Sequence, residues 1–442
     1  MKGTLERSKG LSLFAAIAFA VGNMVGAGVF VLSGIIVNTA GPSAIFSYLF
    51  CGIIVAFSAM SYATLASIFP QSGGGYLYAK RMLGPYPGYL AGWAMYISNT
   101  ISTAFVLIGF GIYANFIFGT SFDPRLGAIL AVILLTALNL RGVSEAGAAE
   151  VALVVTKIAI LAILIVIGLS RIQMGTMEPF YPQGTGGMIQ GIIMVFFAYI
   201  GFQVVAQIGG EIRESERTVP LATLVSLVIV AALYTGTTIA LLAAHLPSYG
   251  SGSVFDAAKV LIGPMGALIV ALGAVFSTLS SANANVVGSS RIILTMAAEK
   301  QIPGRFARIS YGQPANSILF SSVVVLLLII YGNLTFIVDL TNLTTLATMF
   351  LVNVSAFLFI RLEQKKPSGR KFFRLPLGVL IPVLGGVSCI LMALTLSPFI
   401  IVIGLLFLFG GTALYILEDT PQGNAAIQEI RKILYQRDGN NR

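Results

Sequence analysis

The sequence predicts an all-α membrane protein with twelve transmembrane helices, on the basis of composition, hydrophobic runs and charge placement. Of the 442 residues, 57% are hydrophobic and only 10% are charged, whereas soluble domains are about half apolar and about a quarter charged. Twelve apolar runs are long enough to cross about 30 Å of hydrocarbon. These runs cover residues 11–36, 42–69, 85–118, 126–141, 147–170, 187–211, 218–245, 264–298, 315–332, 335–361, 375–396 and 398–417.

The placement of the basic residues predicts the orientation of these helices. If the amino terminus is cytoplasmic and the helices alternate in direction, 22 of the 26 Lys and Arg residues lie on the inner side. Arg125, Arg171 and Lys259 lie outside, and Lys157 lies within a span. This asymmetry follows the positive-inside rule, so we expect a multi-pass protein of the cell membrane with both termini in the cytoplasm. The net charge of +10 therefore reflects topology in the lipid bilayer, and no nucleic-acid partner is expected.

Residues that usually carry enzyme or metal chemistry are scarce. Cys51 and Cys389 fall inside apolar runs far apart in sequence, so they are expected to be buried thiols rather than a disulfide. His245 is the single histidine and ends an apolar run beside Pro247. A single histidine at this position leaves no histidine cluster for a metal and no base for a catalytic triad. We therefore expect no enzymatic activity, no metal and no cofactor.

The first apolar run is interrupted where a spanning helix is deepest in the bilayer. Residues 21–30 contain Gly22, Gly26, Gly28 and the polar Asn23. Glycine allows the backbone to leave helical geometry, so amide and carbonyl groups can face a cavity instead of their own helix. One interpretation is a broken helix whose second half begins near Gly26 and points its positive end at an anion. Gly22 and Gly26 also form a small-xxx-small pair, so close helix packing is the alternative.

A second interruption lies in the sixth run, where Gly201 follows a group of aromatic residues. It occupies the first helix of a second five-helix block, as the first interruption does in the first block. Because each block has an odd number of spans, the two blocks have opposite orientations in the membrane. Paired broken helices in inverted repeats mark a transport site near the bilayer midplane. The predicted segments are 1–170 with helices one to five, 171–361 with helices six to ten, and 362–442 with helices eleven and twelve and a cytoplasmic tail.

Three motifs resemble signatures of the amino acid/polyamine/organocation (APC) superfamily of secondary transporters, and the resemblance covers nearly the whole chain. Residues 26–30 read Gly-Ala-Gly-Val-Phe, as in the first helix of that family, and residues 70–76 read Pro-Gln-Ser-Gly-Gly-Gly-Tyr, as in its first inner loop. Residues 197–201 match the break in its sixth helix. The loop at 214–217 departs from the family pattern, since similar proteins often carry Asn-Pro before the basic residues. That departure concerns the subgroup more than the fold.

The resemblance implies a LeuT-like five-plus-five inverted repeat with broken helices one and six and two peripheral helices. It also implies an amino acid substrate that carries an α-amino and an α-carboxylate group. Backbone amides around Ala27 and Gly28 would then hold the carboxylate, while carbonyls near Met24, Phe197 and Ile200 would accept hydrogen bonds from the ammonium. By the family pattern Phe197 would also be an aromatic lid over the substrate. Its alternative role is ordinary packing.

Lys157 lies deep in the fifth apolar run. Counted from about Gly147 at about 1.5 Å per residue, its helix position is roughly 15 Å from the inner surface, too far for the side chain to reach water. A cation at this depth needs carbonyls, hydroxyls or a carboxylate and is a functional candidate. Glu150 is two turns away, toward the inner surface.

Related transporters bind sodium between helices one and eight, and a subgroup that resembles this chain places a helix-five lysine there instead. The matching groups here are the carbonyls of Gly22 and Val25 and the hydroxyls of Ser280 and Ser281. The resemblance therefore implies sodium-independent transport. Burial disfavours the charged form of a lysine, so its proton could be released and regained during the cycle, giving proton symport. The alternative is a permanently charged tether in an amino acid exchanger.

The predicted pocket lacks an obvious acidic counter-charge. No Asp or Glu lies in the parts of helices one, three, six and eight that are expected to line it, which favours neutral amino acids. Carbonyls and aromatic faces can also hold cations, so cationic amino acids and polyamines remain possible substrates. Other functions left open are a non-transporting solute sensor and a channel, although no repeated filter sequence is visible. Further polar residues contact either substrate or neighbouring helices: Tyr96, Ser98, Asn99, Asn283 and Asn285.

Overall fold

The fold is helical throughout the part of the chain that the computed structural model describes, residues 10–142, 147–310, 313–366 and 372–417. Only two isolated bridges, and no strand, occur in those ranges. A π-helix covers Gly28–Leu32, and 3-10 turns cover Gly41–Ser43, Met174–Met177, Gly209–Glu211 and Gly304–Ala307. The α-helices are α1 Leu13–Met24, α2 Ser33–Ala40, α3 Ala44–Ile68, α4 Gly74–Leu83, α5 Pro85–Phe118, α6 Pro124–Leu140, α7 Gly147–Arg171, α8 Gly184–Tyr199, α9 Val204–Gln207, α10 Ser215–Ala243, α11 Ser253–Leu261, α12 Pro264–Ala298, α13 Ala315–Tyr331, α14 Leu334–Lys365, α15 Leu380–Leu394 and α16 Pro398–Leu417.

The helices coincide with the apolar runs. Eight helical segments among the described residues are long and apolar enough to cross a membrane, and the first of them, Leu13–Ile68, covers almost all of the first two runs. Three shorter apolar helices, α6, α13 and α15, fall in the fourth, ninth and eleventh runs. The prediction of an all-helical, multi-pass membrane protein is therefore confirmed. The twelve-span topology itself stays a prediction.

Two helix contacts dominate the packing. The largest contact of α5 is with α12, and that of α3 is with α10. In the order of the apolar runs, α3 and α10 are the second members of the two five-helix blocks, and α5 and α12 are the third members. The interrupted segments also meet, because α2 and the π-helix pack on α8. Each of these contacts therefore joins elements that are equivalent in the two predicted blocks.

The chain before α1 is fixed by backbone hydrogen bonds to a distant loop. The Leu11 amide donates to the Glu211 carbonyl at 2.9 Å, and the Arg213 amide donates to the Leu11 carbonyl at 3.0 Å. Ser12 then caps α1, its side chain accepting from the Ala15 amide. The start of α1 is thus tied to the loop that follows α9.

The motif at residues 70–76, which resembles the first inner loop of the family, leads into α4. Gly73 has a φ of +136°, a conformation that favours glycine, and its amide donates to the Gln207 carbonyl at 3.0 Å. The Tyr76 hydroxyl on α4 donates to the Glu299 carboxylate at 2.5 Å, and Lys80 forms an ion pair with the same carboxylate. Burial and the neighbouring Glu299 carboxylate raise the pKa of Tyr76, so its hydroxyl stays protonated and continues to donate. These contacts hold α4 against the end of α12.

Candidate functional site at two helix breaks

The first break separates α1 from the π-helix. The α1 helix ends at Met24, the Val25 backbone leaves helical geometry, and the Gly26 amide turns back to the Met24 carbonyl at 2.8 Å. The following helical segment begins at Gly28, close to the start predicted near Gly26. The first amides of a helix have no partner within it, so the amides at this start point out of the helix end.

The second break separates α8 from α9. The α8 helix ends at Tyr199, Ile200 is extended, and Gly201 has a φ of +133°, which side-chain-bearing residues rarely adopt. A Cβ atom at Gly201 would lie 3.0 Å from Asn23 Nδ2 and 3.1 Å from the Met24 amide nitrogen. The glycine therefore serves two purposes, since it permits the turn and allows the two breaks to touch.

A tyrosine on α10 connects the breaks. The Tyr234 hydroxyl lies 2.7 Å from the Met24 carbonyl oxygen and 2.9 Å from the Ala198 carbonyl oxygen, and the side chain is fully buried. Gly28 approaches the same region, because a Cβ there would be 3.0 Å from Ala198 Cα. Tyr234 was not predicted as a site residue, because its only signal in the sequence is a hydroxyl in an apolar run.

A cavity opens between the two breaks, α5 and α12. It contains roughly 560 Å³ not occupied by atoms, open solvent included. All five residues predicted to bind substrate lie on its wall: Met24, Ala27, Gly28, Phe197 and Ile200. The remaining lining residues are Asn23, Gly26, Asn99, Ser102, Val106, Gly201, Gln203, Val204, Gln207, Ser281, Ala284 and Asn285. No charged residue occurs among these described lining residues.

The backbone carbonyls at the cavity differ in how much they are already used. The Met24 carbonyl accepts from the Gly26 amide, and the Tyr234 hydroxyl shares its one proton between the Met24 and Ala198 carbonyls. The Phe197 carbonyl accepts from the Ile200 amide at 3.1 Å. An ammonium would have to compete with the Tyr234 hydroxyl for the Met24 carbonyl, which makes the Phe197 carbonyl the better acceptor.

The Phe197 ring both lines the cavity and packs. It is 5% exposed and meets the Phe105 ring edge-on with centroids 4.6 Å apart. The two roles weighed for Phe197, lid and packing residue, are therefore compatible.

Lys157 joins three helices behind the first break. Its side chain is 2% exposed, and Nζ donates to the Gly22 carbonyl at 2.6 Å and to Ser277 Oγ at 3.3 Å. The Ser277 hydroxyl donates in turn to the Val25 carbonyl at 2.6 Å. The Ser281 hydroxyl donates to the Gly22 carbonyl at 3.4 Å. The lysine therefore connects α7, the end of α1 and α12.

The hydroxyls near Lys157 differ partly from those in the sequence analysis. Ser277, which was not singled out, contacts the ammonium directly, and Ser281 lies one turn further along the same face of α12. Ser280 is also buried on α12. Serines three and four residues apart are neighbours on a helix, so the sequence alone left their order around the lysine open.

The other polar candidates divide into two groups. Asn99 and Asn285 line the cavity. Asn283 accepts from Asn139 at 2.7 Å, and Ser98 bonds Thr345 at 2.5 Å, so these two side chains connect helices. The Tyr96 ring stacks on Phe320, lies tilted against Trp93 and does not line the cavity.

Membrane-spanning helices, two helix breaks and a cavity between them define the protein as a membrane transporter rather than an enzyme. The amino acid permease family matches residues 11–421, so the chain belongs to that family within the APC superfamily. The predicted superfamily is thereby confirmed.

Three curated proteins of Bacillus subtilis (strain 168) are similar to the chain along most of their length. The methylthioribose transporter is 26% identical over 406 residues, 86% of this chain and 87% of that protein. The branched-chain amino acid permease BcaP is 25% identical over 440 residues, 94% of each chain. The serine/threonine exchanger SteT is 27% identical over 394 residues, 85% of this chain and 88% of that protein. These relatives have different substrates, so the likeness supports amino acid transport without selecting one solute.

Proposed function

We propose that the protein is a sodium-independent secondary transporter of neutral amino acids that works by alternating access and couples transport to protons. The observation that carries the proposal is the buried Lys157 ammonium, which binds the Gly22 carbonyl and Ser277 beside the first break. This cation lies within about one helical turn of the cavity wall, since Gly22 and Val25 adjoin Asn23, Met24 and Gly26 in sequence.

The packing supports an inverted repeat. Contacts between equivalent elements, α3 with α10 and α5 with α12, are what a two-fold relation between the blocks produces. We therefore assign residues 1–170 and 171–361 to a LeuT-like five-plus-five repeat, and 362–442 to two peripheral helices and a tail. With twelve spans, both termini lie in the cytoplasm and the protein resides in the cell membrane.

The two breaks present helix ends of opposite polarity to the carboxylate and the ammonium of the amino acid. The carboxylate binds at Ala27 and Gly28, where the amides of the π-helix start carry the positive end of the helix dipole. The ammonium binds the carbonyls at the end of α8, near Phe197 and Ile200, where the dipole is negative. Met24 shapes the wall between these two ends.

Lys157 takes the place of a sodium ion. A sodium site at this point would use the Gly22 and Val25 carbonyls and the α12 hydroxyls, including Ser280 and Ser281. The Gly22 carbonyl accepts the ammonium itself, and the Val25 carbonyl accepts from the serine that binds it. A second cation in the same space would face an unscreened like charge, so transport does not need sodium.

Proton coupling follows from the cost of a buried cation. A charged lysine inside the membrane is stable only with oxygen partners such as those that Gly22 and Ser277 provide. If α1 and α12 separate when the cavity switches from opening outward to opening inward, the Lys157 ammonium loses those partners. It then releases its proton. Return of a proton restores the contact and resets the site.

An exchanger is the second candidate. The contacts of Lys157 with α1 and α12 also suit a permanently charged tether, and one similar protein is a serine/threonine exchanger. In that case the lysine keeps its proton, and one amino acid leaves for each that enters.

The absence of charge among the cavity residues favours neutral substrates. A lysine or arginine side chain would be buried there without a carboxylate, which is costly. The similar branched-chain permease and serine/threonine exchanger fit this reasoning.

Uptake into sodium-free proteoliposomes tests the proposal. Labelled neutral amino acids are offered with and without an inward proton gradient, to the native protein, Lys157→Ala and the control Thr156→Ala, whose side chain is on the exposed face of α7. We expect gradient-stimulated uptake by the native protein and the control, and no stimulation in Lys157→Ala. Uptake that does not respond to the proton gradient but requires amino acid inside the proteoliposomes indicates the exchanger. Uptake of lysine or a polyamine in preference to neutral amino acids contradicts the proposed substrates, and binding without flux indicates a sensor.

A further inference from the structure

Two buried carboxamide oxygens on the cavity wall have no hydrogen-bond partner among the described residues. They are Oε1 of Gln203, whose side chain is 6% exposed, and Oδ1 of the half-buried Asn23. Each residue belongs to one of the two helix breaks, and both line the cavity. Buried amide oxygens are normally satisfied, so two acceptors at one cavity point to a ligand that donates hydrogen bonds.

More carboxamides line the same cavity, namely those of Asn99, Gln207 and Asn285. An atom at the Cβ position of Gly288 would lie 3.4 Å from Asn99 Nδ2 and 3.7 Å from Gln207 Oε1, so these two amides approach one point from α5 and α9. The Asn285 amide donates to Ser102 Oγ at a long 3.5 Å. The wall therefore presents uncharged donors and acceptors from four elements of the fold.

We propose that Asn23 and Gln203 are specificity-determining residues that select amino acids with a short uncharged side chain carrying a hydroxyl or carboxamide. This inference rests on the proposed function. The carboxylate and ammonium of the substrate are held by the helix ends near Gly28 and Phe197, so the side chain is the part of the substrate that meets the carboxamides.

Aliphatic and cationic substrate side chains fit the cavity wall less well. An aliphatic side chain would leave the oxygens of Asn23 and Gln203 buried without a donor, and a site built for hydrogen bonds discriminates against such ligands. A cationic side chain would bring a charge that the described lining residues do not balance. A side chain with an O–H or N–H group satisfies the acceptors without adding charge.

Competition in proteoliposomes tests this selectivity. Serine, threonine, asparagine and glutamine are compared with valine, leucine and isoleucine as competitors of a labelled neutral amino acid, and the result is the ratio of their half-inhibitory concentrations. The native protein should prefer the polar group by about tenfold or more, since one unmatched buried acceptor has an effect of this size.

Variants of Gln203 localise the effect. Gln203→Met keeps the length of the side chain but removes its oxygen, so it should lose affinity for the polar amino acids and retain that for the aliphatic ones. Gln203→Asn keeps an amide on a shorter side chain, so its affinity for the polar amino acids should lie between those of the native protein and Gln203→Met. Gln190→Met, at an exposed position of α8, should behave as the native protein. Continued uptake of aliphatic amino acids by Gln203→Met shows that the variant is folded.

Two results would overturn the inference while leaving the transport function intact. One is a native preference for the aliphatic amino acids. The other is an equal loss of affinity for the polar and the aliphatic amino acids in Gln203→Met and Gln203→Asn. That result would mean that the Gln203 oxygen binds the ammonium common to all amino acids or stabilises the fold. Absence of uptake of any amino acid by the native protein would overturn the proposed function and this inference together.

Discussion

Replacing Tyr234 by phenylalanine removes the single hydroxyl that connects the two breaks. The oxygen lies 2.7 Å from the Met24 carbonyl and 2.9 Å from the Ala198 carbonyl, at a site with no solvent exposure. The ring itself stays, so the volume of the core is almost unchanged. The substitution therefore isolates the hydrogen bonds from the packing of α10.

The structure allows the size of the effect to be worked out. A buried carbonyl that loses its donor costs about 1–3 kcal/mol. The Met24 carbonyl keeps the Gly26 amide as a donor, so the loss there should be small. We therefore expect the free energy of unfolding to fall by about 1–3 kcal/mol, most of it from the Ala198 carbonyl.

Tyr113→Phe is the matched control. Tyr113 is equally buried and donates to the Phe30 carbonyl at 2.7 Å, but that carbonyl belongs to one segment only. Both variants should therefore lose similar thermal stability in detergent. Only Tyr234→Phe should also raise the KM for amino acid uptake, because it loosens one substrate-binding break from the other. Equal KM values for the two variants, or unchanged stability in Tyr234→Phe, would refute the reasoning.

Two further predictions concern other contacts of the fold. Gly201→Ala should reduce uptake at least tenfold, because a side chain is strained at a φ of +133° and its Cβ would crowd Asn23 and Met24. The control Gly175→Ala, which has open space around it, should transport normally. Normal uptake by Gly201→Ala would contradict the contact between the two breaks. Glu299→Gln should change the free energy of unfolding by no more than about 1 kcal/mol, because its ion pair with Lys80 is about one third exposed and the glutamine amide keeps an oxygen that accepts from Tyr76. A much larger loss in a melting experiment would show that the ion pair is a main support of α4.

Much of the fold could be predicted because membrane helices leave a strong signal. Apolar runs of sufficient length must be helical in lipid, since their backbone groups have no other partners. The breaks were also predictable, because glycines and the polar Asn23 are unfavourable in the middle of a spanning helix unless the backbone leaves the helix there and faces a cavity. The observed ends of α1 at Met24 and of α8 at Tyr199 lie inside the stretches so identified.

The contacts between distant residues could not be predicted from spacing. Whether Ser277, Ser280 or Ser281 meets Lys157 depends on the rotation of α12 about its axis, which neighbouring helices set. Tyr234 bridges the breaks only because α10 packs beside both of them. Gln203 drew no attention because an amide near a helix end usually faces water, whereas here it is buried at the cavity.

Protection of a cavity cysteine by substrate tests most directly whether the amino acid binds between the two breaks. Ala284 lines the cavity, and the native Cys51 and Cys389 are 0% and 4% exposed, so a water-soluble thiol reagent should label Ala284→Cys selectively. The best neutral substrate found by uptake should slow this labelling in sodium-free buffer at concentrations near its KM. Labelling that is unaffected by saturating substrate, in a variant that still transports, would contradict the assignment of the cavity as the binding site.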